Sequence, residues 1–486
     1  MTDKTVFATK DVIVIGGGIV GCAVLDALSR FRLSVCLLEA DNDVASCATR
    51  ANSGIVHAGY DCEPNTMKAR FNARGNSMVW RLAEELDVPH LKCGSLVAAR
   101  EGGEGALAEL KRRADLNGVR AEIVSRERAL EIEPNLAEGV TACLYAPDGG
   151  VVSPYQLAIG LADRAILNGA EIVTEAEVRA VRREGGLFVL ETPKGVFSAR
   201  IVVNCAGSQA AAINAMAGAE TYSTSFRKGE YFVLDNTERK NVSTVIFPLP
   251  TAAGKGVLVA PTADGNVIYG PTSTPTEEGD TAVTAEGLDE IRRFVPLTYA
   301  RPAFGKCIRV YCGVRTIVGD DFVVKASELV GNFVYAVGIC SPGLTSAPAI
   351  AEYITELVSG MTKLETKDSF VTRTERKKRL AELTEEELDA LVAKNPQWGK
   401  IVCRCEKVTE AEIVAAVHSP LPAATVDAVK RRVRAGMGRC QGGFCSTRVM
   451  EIISRELGIP MRDIRKGAGH SEIAVLAVKE ADYEGV

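Results

Sequence analysis

The 486-residue chain has no run of about 18 uninterrupted apolar residues, so no membrane-spanning helix is expected. Its start, MTDKTVFATK, has no apolar export core, which points to a soluble protein in a reducing cytoplasm. It also has no charge excess. Fifty-seven basic side chains stand against 62 acidic ones, a net charge of −5, which argues against a general nucleic-acid binder. No internal repeat is visible, and the 47% hydrophobic and 24% charged fractions exclude disorder, collagen and coiled coil. Histidine is scarce, at 4 residues. Cysteine is not, at 14 residues, too many to pass over in a chain with no sign of export.

From Asp11 onward, short β-branched runs alternate with longer amphipathic ones, the pattern of an α/β domain. DVIVI (11–15) reads as a buried strand, 18–30 as a helix and SVCLLE (34–39) as a second strand. GLFVL (186–190), ARIVVNCAG (199–207) and NFVYAVGI (332–339) are later strands. A β-rich middle, about 226–312, holds KGEYFVLD, GVLVAPTADGNVIYG and IRVYCGV, which suggest an antiparallel sheet walling a pocket. Residues 1–362 are therefore expected to form a dinucleotide-binding and substrate unit. Its cofactor-binding parts fall at about 8–80, 150–220 and 312–362, and its substrate parts at about 81–149 and 221–311. A charge-dense stretch, 363–398, reads as a surface helix and linker; its basic knot RTERKKR has acidic flanks. A small, mainly helical cysteine module follows at 399–457, then a tail at 458–486.

GGGIVG places Gly16, Gly18 and Gly21 in G-x-G-x-x-G spacing directly after a strand and at a helix start. Glycines there permit a tight turn and close backbone approach to a pyrophosphate, whose charge the helix amides hold. Glu39 ends the next strand, 18 residues after Gly21, where a carboxylate can accept hydrogen bonds from ribose hydroxyls. No second motif of this kind follows a strand, so one dinucleotide is expected. GICSPGLTSAPAIAEYI (338–354) is a further strand, glycine turn and helix start. Two separated turns suit an extended cofactor, and FAD fits better than NAD.

Of the four histidines, His90 lies beside proline, His418 in the cysteine module and His470 in the tail. His57, in the glycine-flanked SGIVHAG, is either a structural turn residue or a base titrating near neutrality. Lys255 in AGKGV reads equally as a solvated turn lysine or a grip for an anion. Arg315 in CGVRT sits among apolar strand residues, where a cation needs a partner.

Residues 11 to about 360 resemble the FAD-dependent D-amino-acid oxidase superfamily. Within it, TRANSGIVHAGYDCEPNTMKARFNARGN (49–76), KGEY, GKGVLVAPT and CGVR resemble segments of FAD-dependent glycerol-3-phosphate dehydrogenases and oxidases and of L-2-hydroxyglutarate dehydrogenases. The resemblance implies FAD contacts at Gly16, Gly18, Gly21, Glu39, Asn52, Ser53, Val178, Gly207, Gly338, Gly343, Leu344 and Thr345. It also implies that His57 is the base and that Lys255 and Arg315 line the pocket for an anionic substrate.

Cys403, Cys405, Cys440 and Cys445 form C-x-C, a gap of 34 residues and C-x4-C. Two close thiolate pairs can hold a zinc ion or an iron–sulfur cluster. The module resembles bacterioferritin-associated-ferredoxin-like domains, which implies a 2Fe-2S cluster on these four thiolates. The other ten cysteines, including Cys22, Cys36, Cys205 and Cys340, are expected to be small buried hydrophobes in strands and helices.

The resemblance implies oxidation of sn-glycerol 3-phosphate to dihydroxyacetone phosphate, with L-2-hydroxyglutarate or a similar 2-hydroxy acid as the alternative substrate. A different class of reading is a non-catalytic electron-transfer or redox-sensing subunit. The FAD and cluster pair implies an electron-accepting partner protein, second flavoprotein subunit or quinone, and any membrane association peripheral or through that partner.

Overall fold

The computed structural model describes residues 6–250 and 256–474. The chain divides into two compact units, Met1–Ala40 with Val44–Thr374, and Asp41–Asp43 with Glu375–Val486.

In the first unit, the strands Lys10–Ile15 and Val35–Leu38 lie parallel at the centre of an eight-stranded sheet. Val12, Ile13, Val14, Cys36 and Leu37 are fully buried, as expected of parallel strands covered on both faces, and this explains the unbroken apolar runs. Glu171–Val173 extends the sheet beyond Val35–Leu38. On the other side lies the long strand Gly195–Asn204. Its second edge is shared, pairing antiparallel with Leu187–Thr192 and then parallel with Phe333–Val337. The long strand begins at Gly195 and ends at Asn204, so it starts earlier and stops sooner than the 199–207 expected. Helix Ile19–Leu28 packs against helices Gly343–Ser359 and Pro154–Leu167.

The second sheet has nine strands. It was expected to be antiparallel, and one pair departs from this, because Ser95–Arg100 and Val245–Pro248 run parallel. These strands come from segments far apart in sequence, so no hairpin imposes opposite directions. The sheet's longest pairing joins Ser225–Leu234 to Cys307–Ile317 and sets the KGEY and CGVR motifs side by side, with Tyr231 opposite Tyr311, Gly229 opposite Gly313 and Arg227 opposite Arg315. Side chains two apart on a strand share a face, so Tyr311 and Arg315 flank Gly313 on one side of the sheet. A Cβ at Gly313 would lie 1.8 Å from the Ala51 carbonyl oxygen, so glycine lets the 49–54 loop lie directly on that face.

Part of the charged stretch is built into this unit. Lys367 N–H donates to the Arg30 carbonyl, Asn168 exchanges two hydrogen bonds with Val371, and the buried Arg164 donates to the Thr372 carbonyl.

The second unit is mainly helical, with helices Glu385–Lys394, Glu410–Val417, Val426–Val433 and Ser446–Leu457 and the small hairpin Ile401–Cys403 with Val408–Thr409. Thr384 with Glu387, and Thr409 with Glu412, form reciprocal capping boxes that start the first two helices. Ile413, Val429 and Ile453 are fully buried at its core. Among the described residues no helix is long and apolar enough to cross a membrane.

Candidate functional site

The Gly16–Gly21 turn follows the central strand, and each glycine has its own steric reason. Gly16 has φ +98, and a Cβ there would lie 2.6 Å from the Cys205 carbonyl oxygen. A Cβ at Gly21 would lie 1.9 Å from the Gly16 carbonyl oxygen, so Gly21 lets the helix close against the strand. Gly18 is different. Its nearest neighbour would be Thr49 Oγ1 at 3.4 Å, so its own space is open and its lack of a Cβ leaves room for a ligand. It caps helix Ile19–Leu28 without a side chain, and the Ile19 amide donates to Thr49 Oγ1. Glu39 is buried beside this turn and accepts from the Gly17 amide. Gly207, at φ +59 with nothing within 4 Å of a built Cβ, leaves a second open space where the neighbouring strand ends. An open glycine cradle at a helix start, next to a buried carboxylate, fits a dinucleotide's pyrophosphate and ribose.

The other residues expected around FAD are spread along this sheet and its helices. Val178 is buried in the sheet's core, where the Ala176 amide meets the Glu39 carbonyl. Gly338, at φ +70, and Gly343 bound the turn into helix Gly343–Ser359, with Leu344 half-buried and Thr345 buried in its first turn. The Asn52 side chain is engaged by its own loop, donating to the Ala48 and Thr49 carbonyls and accepting from the Gly54 amide.

His57 stands between two helices. Its amide donates to Thr345 Oγ1 at 2.9 Å, and its carbonyl accepts from Asn76 Nδ2 at 3.0 Å. This fixes the backbone and sets the half-buried ring with Nε2 3.3 Å from Ser341 Oγ and the Phe247 ring 5.9 Å away. Arg315 is held separately by the Thr272 carbonyl at 3.1 Å and Ser273 Oγ at 3.3 Å, and it also meets the Tyr231 hydroxyl. That hydroxyl in turn meets Ser53, so the loop bearing His57 and the strand bearing Arg315 join through Ser53 and Tyr231. Tyr231 stacks on Tyr311 at 4.6 Å and 7°, and the Tyr311 hydroxyl donates to the Asn52 carbonyl. Burial pushes both phenols above their ordinary value, so both stay protonated, and the Tyr231 oxygen accepts from Arg315. Lys255 lies outside the described residues.

The sequence reading missed Ser341, Thr49 and the tyrosine pair. Tyr231 sits inside the quoted KGEY motif and Ser341 inside GICSPGL, but nothing local says that their hydroxyls meet Arg315 and His57.

In the C-terminal unit the four expected thiols come together as two pairs. Cys405 Sγ lies 3.8 Å from Cys440 Sγ, and Cys403 and Cys445 share a hydrogen bond. The Cys445 bond, with the amides of Gly436 and Glu406, pushes the Cys403 thiol below its ordinary value, while sharing that proton raises Cys445. Among the described residues no three His, Cys, Asp or Glu side chains gather as a single-ion site. Two pairs of thiols fit a cluster with two irons, each taking two cysteines, better than one tetrahedral ion.

The other ten cysteines are not uniformly buried. Cys22, Cys36, Cys62, Cys143, Cys205 and Cys312 are buried, and burial pushes Cys36, Cys143 and Cys205 up to about 12. Cys47 is exposed, and Cys93, Cys307 and Cys340 are half-buried, a correction to the expected burial. Cys47 and Cys340 lie outside strands and helices, in connections that no sheet or helix layer covers.

Residues 11–357 match the family of FAD dependent oxidoreductases, and residues 401–455 match the BFD-like 2Fe-2S binding domain. A glycerol 3-phosphate dehydrogenase of Caloramator mitchellensis is 41% identical over 461 residues, 94% of this chain and 96% of the relative. An L-2-hydroxyglutarate dehydrogenase of Salmonella houtenae is 31% identical over 272 residues, 54% of this chain and 64% of the relative. Among solved structures, dithionite-reduced L-alpha-glycerophosphate oxidase from Mycoplasma pneumoniae with FAD bound superposes with a TM-score of 0.72 at 28% identity, covering 76% of this chain and 99% of that one. A match over most of the chain, on a glycine cradle and a paired-thiol module of the right shape, places this protein in the FAD dependent oxidoreductase family, with FAD and a C-terminal 2Fe-2S cluster as its cofactors.

Proposed function

We propose that this protein is a dehydrogenase that oxidises sn-glycerol 3-phosphate to dihydroxyacetone phosphate and passes the electrons through its cluster to a partner protein or quinone. The observation that carries this reading is the 41% identity over 94% of the chain, through both units, to a glycerol 3-phosphate dehydrogenase, whereas hydroxyglutarate dehydrogenases match 54% to 71% of the chain at 26% to 31% identity. Bound FAD supplies a two-electron hydride acceptor, and the cluster releases electrons singly.

The chain's own groups have separate tasks. His57 Nε2 takes the C2 hydroxyl proton, and the backbone bonds to Thr345 and Asn76 hold the ring for it. Arg315 grips the anionic end of the substrate, and its planar fork is kept in place by Thr272, Ser273 and Tyr231. Lys255 adds a second positive charge. Cys403, Cys405, Cys440 and Cys445 ligate the cluster.

Anaerobic mixing of the holoenzyme with each candidate alcohol tests the substrate. Glycerol 3-phosphate should bleach the flavin, and bleaching by L-2-hydroxyglutarate alone would overturn the choice. His57→Ala should keep FAD and lose about 10²- to 10⁴-fold in turnover. Unchanged turnover would remove His57 from the role.

A further inference from the structure

We propose that the surface around Phe444 in the C-terminal unit is the docking face for an acidic one-electron carrier protein. This rests on the proposed exit of electrons through the cluster, and it assigns that exit a place and a partner chemistry.

Three observations converge on this face. The first is access. Cys403 and Cys445 are buried, but Cys405 is exposed and Cys440 half-buried, so the paired thiols reach the surface on one side. The second is an apolar anchor. Phe444, next to Cys445, is 90% exposed, more than any other exposed large hydrophobic among the described residues; Val6 follows at 76%. An aromatic ring left in water beside a redox centre adds nothing to the core. It is the kind of side chain that dominates binding once a partner covers it.

The third observation is charge. The two cysteine-bearing loops, 404–407 and 434–445, carry Arg404, Lys407, Arg434 and Arg439 against one acid, Glu406, which is four minus one, or +3. The whole chain is −5, so this positive patch is local. Arg434 pairs with Glu406. Arg404, Lys407 and Arg439 are exposed, and Arg404 and Lys407 give the face its sign. An exposed aromatic ring and exposed cations on the same cysteine-bearing loops are complementary to a carrier with an acidic surface, and such complementarity raises the association rate in a salt-dependent way. Lys407, Arg434 and Gln441 in these loops hold positive φ values of 52, 65 and 48.

The electron balance is simple. Each alcohol oxidised releases two electrons and two protons. Two oxidised carriers each leave this face reduced by one electron, and the protons pass to solvent.

The test uses full-length holoenzyme with two defined acceptors, an acidic plastocyanin and a basic cytochrome c, in stopped-flow mixing. Dithionite-reduced enzyme should reduce plastocyanin with a second-order rate constant that falls at least about tenfold between low and physiological salt. The double variant Lys407→Glu with Arg439→Glu should lower that rate at least about tenfold and raise the cytochrome c rate, with the cluster's visible spectrum unchanged. Phe444→Ala should weaken plastocyanin binding to the oxidised enzyme, read by line broadening in an NMR titration without turnover. Equal effects of charge reversal on both acceptors, or unchanged plastocyanin binding in Phe444→Ala, would overturn the proposal. So would co-sedimentation of wild type with phosphatidylglycerol vesicles but no binding of plastocyanin, which would make the face a membrane contact. Dithionite bypasses the substrate, so failure of glycerol 3-phosphate to bleach the flavin would count against the substrate reading alone.

Discussion

Two neighbouring glycines separate what the cofactor needs from what the fold needs. Gly18 sits at φ −70 and ψ 177, which any residue adopts, and a Cβ there would make an ordinary contact of 3.4 Å with Thr49 Oγ1. Gly18→Ala should therefore change the stability of the flavin-stripped protein by no more than about 0.5 kcal/mol, a small loss at the cap being offset by a stiffer unfolded chain. With FAD present the new methyl meets the pyrophosphate, and overpacking of this kind costs about 1–3 kcal/mol. At about 1.4 kcal/mol per tenfold, the Kd for FAD should rise about 5- to 150-fold. Gly21→Ala has the opposite profile. Its Cβ would sit 1.9 Å from the Gly16 carbonyl oxygen, so the strand–helix turn must open before any flavin arrives. That variant should lose more than about 2 kcal/mol without cofactor, because backbone cannot move aside as a side chain can. Urea unfolding of the stripped proteins gives the first quantity, and quenching of flavin fluorescence on titration gives the second. If Gly18→Ala binds FAD within about twofold of wild type, the pyrophosphate does not pass over Gly18 and the cradle is assigned wrongly. If both variants lose affinity only in proportion to stability, the open space at Gly18 has no ligand role.

Further outcomes follow from the same geometry. Cys440→Ser should remove the cluster's visible absorbance and leave substrate-driven bleaching of the flavin intact; loss of both in stopped-flow spectra would show that the module supports the flavin unit itself. Arg164 is fully buried, with both carboxylate oxygens of Asp26 at 2.7 Å and Glu85 at 2.8 Å. Arg164→Leu should cost about 3–5 kcal/mol in urea unfolding by stranding those carboxylates, and a loss below about 1 kcal/mol would refute this account. Burial opposes ionisation of Glu220, but the Glu328 amide, the Ser327 hydroxyl and Lys325 hold its carboxyl down to about 2. A depressed acid stabilises the fold above its unfolded value and loses that contribution as pH falls from about 4.5 to about 2. Glu220→Gln should therefore lower the thermal midpoint at pH 6, an effect of about 1 kcal/mol after solvent screening, and the gap to wild type should close by pH 2; a pH-independent gap would mean that the charge is not involved.

The glycine turn and the buried Glu39 beside it were legible in advance, because a tight turn and a carboxylate at a strand end are local demands that a short segment must meet by itself. The cysteine spacing told that four thiols gather, but not how. Sequence left zinc and a cluster both open, and only the folded loops divide the thiols into Cys405 with Cys440 and Cys403 with Cys445. The substrate end was less legible. His57 stood out because histidine is scarce, yet its setting depends on Thr345, Asn76 and Ser341, residues 19 to 288 positions away in the chain.

What the sequence determined by itself were the patterns set by short-range sterics and burial: the parallel core strands, the glycine turn at a helix start and the mainly helical C-terminal unit. What only tertiary structure decided were the meetings between distant segments. Pairing of Ser225–Leu234 with Cys307–Ile317 brings Tyr231 against Tyr311 and lets Tyr231 join Ser53 to Arg315. Strand register and sheet closure are collective properties of many side chains, so the individual KGEY, NSG and CGVR segments carry no record of which one lies beside the next.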